Sequence, residues 1–181
     1  MALASPDGVE YRPGTPQDSL CIGVLAMQVF LDTYATDGIR PDLALEVMSY
    51  YTPDKFAERL IHQSARFILA ERKGYLVAFA EVSLGGEVPA STIPCGAELV
   101  RMYVQPQFKR QGLGRALVTY AEAIAKSESA ECLWLTAWTE NRAALAFYKA
   151  LGYSDIGATN YIFQGNSYEN RIFTRTLASA P

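Results

Sequence analysis

The sequence predicts an α+β fold in which a mixed sheet carries helices on both faces. Residues 9–12 alternate between apolar and polar like a short strand. Further β-like runs occur near the C-terminus and at 65–84, where residues 71–74 have the composition of a hairpin turn. Amphipathic helical segments directly follow two further strand-like runs in the second half of the chain. This alternation of helix and strand periods is typical of a sheet covered by helices.

The elements follow one another without an internal repeat. The first helix would bury one apolar face, formed by Leu20, Val24, Met27, Leu31 and Tyr34. Residues 85–96, which include two prolines, are predicted to form a loop. The predicted elements are strand 9–12, helix 20–34, one broken helix or two helices (42–51 and 53–63), strands 65–70, 74–84 and 97–104, helix 112–127, strand 132–137, helix 142–151 ending at Gly152, and strands 153–163 and 167–176.

The composition fits one globular domain spanning residues 1–181. Half of the residues are apolar and 19% are charged, unlike a disordered chain. No apolar run approaches the ~20 residues that cross a bilayer, and the N-terminus lacks the features of a signal peptide. We therefore expect a cytoplasmic protein without a membrane partner.

The charge balance and the metal-ligating residue types exclude further classes. The net charge of −3 is opposite to that of a nucleic-acid binder. His62 is the single histidine, and Cys21, Cys95 and Cys132 are scattered, so no metal site is predicted. Three cysteines cannot all pair within one chain, which favours a reducing compartment. Cys95 and Cys132 fit small buried apolar groups.

The connection between strand 97–104 and helix 112–127 carries the clearest chemical signal. Gly112 and Gly114 allow an anion to approach the backbone where a helix begins, and the helix start offers unpaired N–H groups. An ordinary tight connection with solvated basic residues has the same pattern. The residues of this 109–115 turn are Lys109, Arg110, Gln111, Gly112, Leu113, Gly114 and Arg115.

Two nucleotide-binding motifs do not fit this turn. The dinucleotide motif needs a third glycine, and Leu117 stands at that position. The P-loop needs Gly-Lys-Ser/Thr after a longer glycine spacing, which is also missing. A general nucleotide-binding module is therefore disfavoured.

Two motifs together resemble the GNAT superfamily of N-acetyltransferases. The run 109–114 resembles its acyl-CoA-binding motif, Q/R-x-x-G-x-G/A, with Lys109 at the usual Gln/Arg position. A lysine can still serve a phosphate as a point charge. The run from Asn141 to Tyr153 resembles the N-x-x-A-x-x-F-Y-x-x-x-G-F/Y helix that flanks coenzyme A in this family. Both motifs lie within residues 97–163 and follow the order of the family.

The resemblance implies a twisted, mostly antiparallel sheet that is splayed at an acyl-CoA cleft, with acetyl-CoA as cosubstrate. The pantetheine arm would lie along Met102, Tyr103 and Val104, and the amide near Met102 would polarise the thioester carbonyl. Ordinary core strand residues would have the same side chains. The phosphates would lie on the 109–115 turn.

The resemblance also implies a general acid. Tyr148 occupies the family's F-Y position and would protonate the coenzyme A thiolate. A thiol pKa of about 8.5 lies below a phenol pKa of about 10, so this donation is mildly uphill. The alternative is a core tyrosine, because Tyr148 belongs to an apolar stripe at helical spacing with Ala144, Phe147 and Leu151.

Three other residues have a candidate role and a structural alternative. Glu98 would be the general base for the acceptor amine, directly or through water, or a solvated residue of the strand. Asn141 would cap the following helix and contact the cofactor arm. Lys149 would reach the nucleotide phosphates, or would simply be a solvated lysine.

Acceptor specificity is expected to lie in residues 20–63 and in the 85–96 loop. The runs 30–34, 98–104, 138–141 and 157–158 resemble the Pai-type polyamine acetyltransferases within this superfamily. A polyamine requires an acidic groove, to which Asp32, Asp37 and Glu98 are candidate contributors.

Several alternatives to a polyamine acceptor remain open. Free amino acids, protein N-termini and aminoglycosides are other acceptors, and a non-catalytic acyl-CoA-binding regulator is the alternative from another functional class. The expected partner is a small amine, not a nucleic acid, and the expected state is a monomer or a homodimer.

Overall fold

The computed structural model describes residues 3–4, 8–89 and 96–177. The helices are α1 (Ser19–Tyr34), α2 (Pro41–Tyr50), α3 (Pro53–Leu60), α4 (Leu113–Ser127) and α5 (Arg142–Ala150). The strands are β1 (Leu3–Ala4), β2 (Val9–Pro13), β3 (Ala65–Arg72), β4 (Tyr75–Gly86), β5 (Gly96–Val104), β6 (Cys132–Trp138), β7 (Ser154–Phe163) and β8 (Asn166–Thr176). The predicted α+β fold is confirmed, and β1 is the one strand without a sequence prediction.

Part of the predicted 85–96 loop falls outside the described residues. Gly85 and Gly86 belong to β4, and Gly96 begins β5, so the strands extend further than predicted. Residues 90–95, including Cys95, lie outside the described part of the chain. Residues 87–89 are described and lie outside both strands, as predicted for a loop.

The chain divides into two compact units. The first unit comprises Met1–Glu81 and Arg101–Tyr120, and the second comprises Val82–Val100 and Ala121–Pro181. Strands β4 and β5 each contribute one part to the first unit and one part to the second. That the whole chain acts as one acetyltransferase domain stays a prediction.

In the first unit the strands are ordered β1-β2-β3-β4-β5. β2 is antiparallel to β3, with a register from Val9↔Arg72 to Pro13↔Ile68. Lys73 and Gly74, between β3 and β4, both have positive φ angles, of 54° and 78°. Two consecutive positive φ angles match the twist of a two-residue hairpin, so the hairpin predicted at 71–74 is confirmed.

Helix α1 buries a different face from the predicted one. Leu20 and Val24 are 61% and 58% exposed, whereas the opposite side is buried. The helix is apolar on nearly every side, so its periodicity could not single out the buried face. The buried residues of α1 are Ile22, Gly23, Leu25, Ala26, Val29 and Phe30.

A glycine allows α1 to approach the α2–α3 connection closely. A Cβ atom on Gly23 would lie 3.1 Å from both the Tyr51 carbonyl oxygen and the Pro53 nitrogen. Because Gly23 has no side chain, the segment that contains Tyr51 can pack directly against α1. The rings of Phe30 and Tyr51 pack with their centres 4.8 Å apart.

In the second unit the strands are ordered β4-β5-β6-β8-β7. β5 and β6 pair in parallel from Gly96↔Cys132 to Glu98↔Trp134, while β6–β8 and β7–β8 are antiparallel. A Cβ atom on Gly96 would lie 2.6 Å from Trp134 Cδ1, so only glycine fits this close approach. The sheet is mostly antiparallel, as predicted.

No membrane-spanning helix and no cluster of metal ligands occur in residues 3–4, 8–89 and 96–177. None of the helices found there has both the length and the apolar character for crossing a membrane. Over the same residues, no three His, Cys, Asp or Glu side chains gather as metal ligands. Cys21 is exposed, and Cys132 is buried.

Candidate active site

In the first unit, the 109–115 turn leads into the N-terminus of α4, which has no capping side chain. Gly112 has a φ of +84°, and a Cβ atom there would meet nothing within 4 Å. Its carbonyl oxygen accepts a hydrogen bond from the Ala116 N–H at 3.1 Å, so Gly112 is the N-cap of α4. A glycine N-cap has no side chain to accept from the first N–H groups of the helix. These backbone donors and the helix dipole suit an anion.

Three cations surround this helix start. Lys109, Arg110 and Arg115 are all exposed, and Arg110 also adopts a positive φ of 65°. Leu113, by contrast, is buried and anchors the first turn of α4. The turn therefore combines an anchored helix start with exposed positive side chains, which fits a phosphate-bearing ligand.

Arg72, which lies outside the motif, contacts the 109–115 turn through Gln111. The Gln111 side chain donates to the Gln107 carbonyl oxygen at 3.1 Å and accepts from Arg72 Nη1 at 3.3 Å. Arg72, Gln111, Leu113 and Val9 line a cavity of about 360 Å³. Sequence reasoning missed Arg72, because its place beside the turn depends on the register of β2 and β3.

The end of β5 presents the three residues predicted to hold the pantetheine arm. Met102, Tyr103 and Val104 are half-buried. The Tyr103 ring lies 5.6 Å from the ring of Phe79, and its hydroxyl lies 3.3 Å from the Tyr51 hydroxyl. Burial, followed by the neighbouring Tyr51, raises the pKa of Tyr103 well above its usual range. The Tyr103 side chain is thus committed to internal contacts, and a role of its backbone toward the pantetheine arm stays a prediction.

The first unit also contains a cluster of charged side chains that sequence reasoning missed. Arg101 Nη1 donates to Glu81 Oε2 at 2.6 Å, and Arg59 Nη1 lies 3.7 Å from the same oxygen. Burial lowers the pKa of Arg59, and the guanidinium of Arg101 lowers it further. The available signal was a glutamate and an arginine inside the apolar runs of β4 and β5. We name these three residues the Arg59–Glu81–Arg101 cluster.

In the second unit Asn141 caps α5 as predicted. Its Oδ1 atom accepts a hydrogen bond from the Ala144 N–H at 3.1 Å. The helix ends with the Gly152 N–H donating to Lys149 O and the Tyr153 N–H donating to Tyr148 O. Gly152 has a φ of +83°, which this pair of closing bonds requires. Both ends of α5 are therefore fixed by residues of the second motif.

Tyr148 lies in an aromatic cluster of the second unit. Its ring centre is 5.2 Å from that of Phe147, 5.9 Å from Tyr153 and 6.0 Å from Phe173. Burial raises the pKa of Tyr148 above the usual range of a phenol. The hydroxyl therefore keeps its proton at neutral pH and can act as a donor. The structure agrees with the core alternative and leaves the acid role as a prediction.

The other two candidates of the second unit differ in exposure. Glu98 is half-buried in β5, at the position paired with Trp134 of β6. Lys149 is exposed in the last turn of α5. Within this unit Asn141, Tyr148 and Lys149 share one helix. The roles of all these residues toward a ligand stay predictions.

The comparisons with known proteins agree with the motifs. A family model described as the acetyltransferase (GNAT) family matches residues 32–153. A spermidine N(1)-acetyltransferase from Thermoplasma acidophilum is 24% identical over 166 residues, covering 90% of this chain and 99% of that protein. An uncharacterized N-acetyltransferase from Lactobacillus delbrueckii subsp. lactis is 25% identical over 128 residues, covering 71% of this chain and 74% of that protein.

A solved structure shows the same fold. The crystal structure of PaiA N-acetyltransferase from Thermoplasma acidophilum in complex with coenzyme A is similar, with a TM-score of 0.76 and 19% identity. The similarity covers 93% of this chain and 98% of that chain. The match of the family model spans well over half of the sequence and includes both motifs. The chain therefore belongs to the acetyltransferase (GNAT) family and is an N-acetyltransferase that uses acetyl-CoA.

Proposed function

We propose that this protein transfers the acetyl group of acetyl-CoA directly to the primary amine of a small molecule. The observation that carries the proposal is the glycine-capped start of α4, with exposed Lys109, Arg110 and Arg115 around it. The open space at Gly112 fits a phosphate against the backbone. In this proposal the 109–115 turn binds the pyrophosphate of acetyl-CoA.

The remaining cofactor contacts are assigned by the family motifs. Backbone groups of Met102, Tyr103 and Val104 would bind the pantetheine arm. Asn141 and Lys149 would contact the cofactor from α5, and the capping role of Asn141 is compatible with this. Acetyl-CoA supplies the activated acetyl group, and these residues orient it.

The proposed chemistry needs one base and one acid. Glu98 takes a proton from the acceptor ammonium, directly or through water, and the neutral amine attacks the thioester carbonyl. The C–N bond forms, the C–S bond breaks, and Tyr148 donates its hydroxyl proton to the departing thiolate. Burial keeps Tyr148 protonated, although its raised pKa makes the donation more uphill than from a solvated phenol.

Spermidine is the first acceptor to test. The support is the similarity to a spermidine N(1)-acetyltransferase, together with the acidic side chains of Asp32 and Asp37 in the first unit. Asp32 and Asp37 are both exposed, so both remain open to a cationic ligand. Amino acids and protein N-termini form the second acceptor class.

We also propose that the protein works in the cytoplasm as a monomer or homodimer. The count of three cysteines, which cannot all pair within one chain, supports a reducing compartment. The net charge of −3 supports a small-molecule partner over a nucleic acid.

Thiol release from acetyl-CoA tests the proposal. The purified chain is incubated with spermidine, spermine, amino acids, an aminoglycoside and short peptides, and each product is identified by mass spectrometry. We expect amine-dependent release that follows the concentration of one acceptor class. Tight acetyl-CoA binding with no release across this panel would contradict the proposal and favour the acyl-CoA-binding regulator.

A further inference from the structure

The Arg59–Glu81–Arg101 cluster has more positive than negative charge and is largely buried. Arg59 comes from α3, Glu81 from β4 and Arg101 from β5, all within the first unit. The Glu81 side chain is 6% exposed, that of Arg101 18% and that of Arg59 23%. Two guanidinium groups share one carboxylate, so the cluster contains a buried excess of positive charge. Burying such a charge is costly unless an anion compensates it.

Two hydrogen-bond donors of the cluster also lack acceptors. Arg59 Nη1 and Arg101 Nε are both buried, and neither has a hydrogen-bond partner in the described part of the chain. The 3.7 Å from Arg59 Nη1 to Glu81 Oε2 is too long for a hydrogen bond. Because buried donors are nearly always satisfied in native proteins, these two atoms indicate a missing acceptor.

The aromatic neighbours of the cluster do not supply that acceptor. The guanidinium of Arg59 lies 4.3 Å from the centre of the Phe56 ring, and that of Arg101 lies 5.5 Å from the Tyr51 ring. These contacts attract a cation weakly but neutralise no charge. The hydroxyls of Tyr51 and Tyr103 lie 3.3 Å apart, and only one of them donates in that pair. One hydroxyl proton therefore remains as a third donor for an anion.

We propose that Arg59 and Arg101 bind a carboxylate group, and that the acetyl acceptor carries it. A carboxylate offers two oxygens, which match the two orphaned N–H donors, and its charge balances the excess guanidinium. Arg59 and Tyr51 lie in the helical region to which sequence analysis assigns the acceptor. Arg101 directly precedes Met102 on the strand assigned to the pantetheine arm.

The assignment to the acceptor rests on the proposed function, whereas the anion site itself does not. An acceptor of this class has an amine and a carboxylate in one small molecule, as an amino acid does. Spermidine has no carboxylate and would leave the cluster to a free anion from solution. A free anion and the acceptor carboxylate share one binding chemistry, so the experiment separates these two sources.

Anion binding is measured first, without acetyl-CoA or an amine. The unfolding midpoint of the full chain is followed during an acetate titration, with ionic strength held constant by a bulky sulfonate. We expect a saturable rise of the midpoint. Arg59→Gln should weaken the apparent acetate affinity about tenfold or more, because one charged donor is lost. Arg59 is the suitable site because the shorter Arg101–Glu81 pair stays intact.

Two further variants make the binding result decisive. Lys126→Gln removes an exposed positive charge from the last turn of α4 and should leave acetate affinity unchanged. Glu81→Gln removes the competing carboxylate and should strengthen acetate binding, which is opposite in sign to Arg59→Gln. If Glu81→Gln does not fold, the acetate affinities of Arg59→Gln and Lys126→Gln still show whether Arg59 binds the anion. An absent or non-saturable acetate effect, or equal affinity in Arg59→Gln and wild type, overturns the anion site.

The source of the anion is measured second, with matched acceptors. Alanine and alaninamide differ at the carboxylate, and the KM of each is compared in wild type and Arg59→Gln. We expect the KM for alanine to rise about tenfold and that for alaninamide to change less than about twofold. Equal changes in the KM for alanine and for alaninamide, with acetate binding retained, would overturn the acceptor assignment and support a free anion. If no amine is acetylated, the proposed function fails, while the acetate titration still decides on the anion site.

Discussion

Helices α4 and α5 both follow a strand and both carry a family motif, yet their N-termini are built differently. α5 begins at Asn141, whose side chain accepts from the Ala144 N–H. α4 begins at Gly112, which has no side chain to offer. A side-chain cap accepts a hydrogen bond from one of the first backbone N–H groups of its helix. A glycine N-cap leaves all of these N–H groups available to a ligand. We therefore expect the start of α4 to bind the anion, whereas the cap of α5 contributes to stability.

The largest expected effect concerns the chemistry on α5. Tyr148→Phe should lower kcat about 100-fold with little change in the KM for acetyl-CoA, because only a proton donor is lost. Steady-state kinetics measure both constants. Since burial raises the pKa of Tyr148, the hydroxyl stays protonated at neutral and moderately alkaline pH. The rate should not fall in that range through deprotonation of Tyr148.

Tyr153→Phe is the matched control for this variant. The Tyr153 hydroxyl donates to Glu122 Oε1 at 2.9 Å, in the same aromatic cluster. Removal of that hydroxyl should lower the free energy of unfolding but not kcat. An unchanged kcat in Tyr148→Phe would make Tyr148 a packing residue.

The next effect concerns the glycine start of α4. Gly112→Ala forces an alanine to a φ of +84° and adds a methyl group where the phosphate is proposed to bind. We expect the dissociation constant for acetyl-CoA, measured by calorimetry, to rise about tenfold or more through weakened charge-assisted hydrogen bonds. The backbone strain should also cost about 1–2 kcal/mol of folding free energy.

Gly165→Ala separates the two effects of that substitution. Gly165 lies between β7 and β8, has a φ of +78°, and also has open space around it. This variant should show a similar loss of stability with unchanged acetyl-CoA affinity. Equal losses of affinity in both variants would mean that strain, rather than contact with phosphate, weakens binding.

A smaller effect concerns the cap of α5. Asn141→Ala should lower the free energy of unfolding by about 1 kcal/mol, because the Ala144 N–H loses its acceptor. The unfolding midpoint should fall by about 2–4 °C in a chain of this size. Asn141→Ser keeps a capping oxygen and should stay near wild type. A midpoint in Asn141→Ala that equals wild type would show that the cap contributes no stability.

The smallest effect concerns a single exposed cation. Lys109→Ala should raise the dissociation constant for acetyl-CoA about two- to fivefold, since exposed charge pairs contribute little. The change should shrink as salt concentration increases. Lys126→Ala, at the far end of α4, is the control. A salt-independent change would indicate that Lys109 acts through packing.

The parts of the fold that follow from local chemistry were predictable from the sequence. The positive φ at Gly112, the cap at Asn141 and the helix end at Gly152 each depend on one residue and its neighbours. The buried face of α1 was predicted wrongly. That helix is apolar on several sides, and its packing depends on Gly23 lying against the α2–α3 connection.

The Arg59–Glu81–Arg101 cluster shows why the rest of the site was not predictable. Its members come from three elements, and only the fold brings Arg59 Nη1 to 3.7 Å from Glu81 Oε2. Composition shows charged residues in apolar strands but not which of them meet. The orphaned donors on Arg59 and Arg101 become visible only when every acceptor around them is known.

An amide NMR titration with acetyl-CoA tests the contrast between the two helix starts most directly. We expect large shifts for the amides of Gly112, Leu113, Gly114 and Arg115, because phosphate would accept hydrogen bonds from this backbone. The Ala144 amide should shift little, since Asn141 already holds it. Large shifts at Ala144 with unchanged amides at 112–115 would contradict the assignment of phosphate binding to α4.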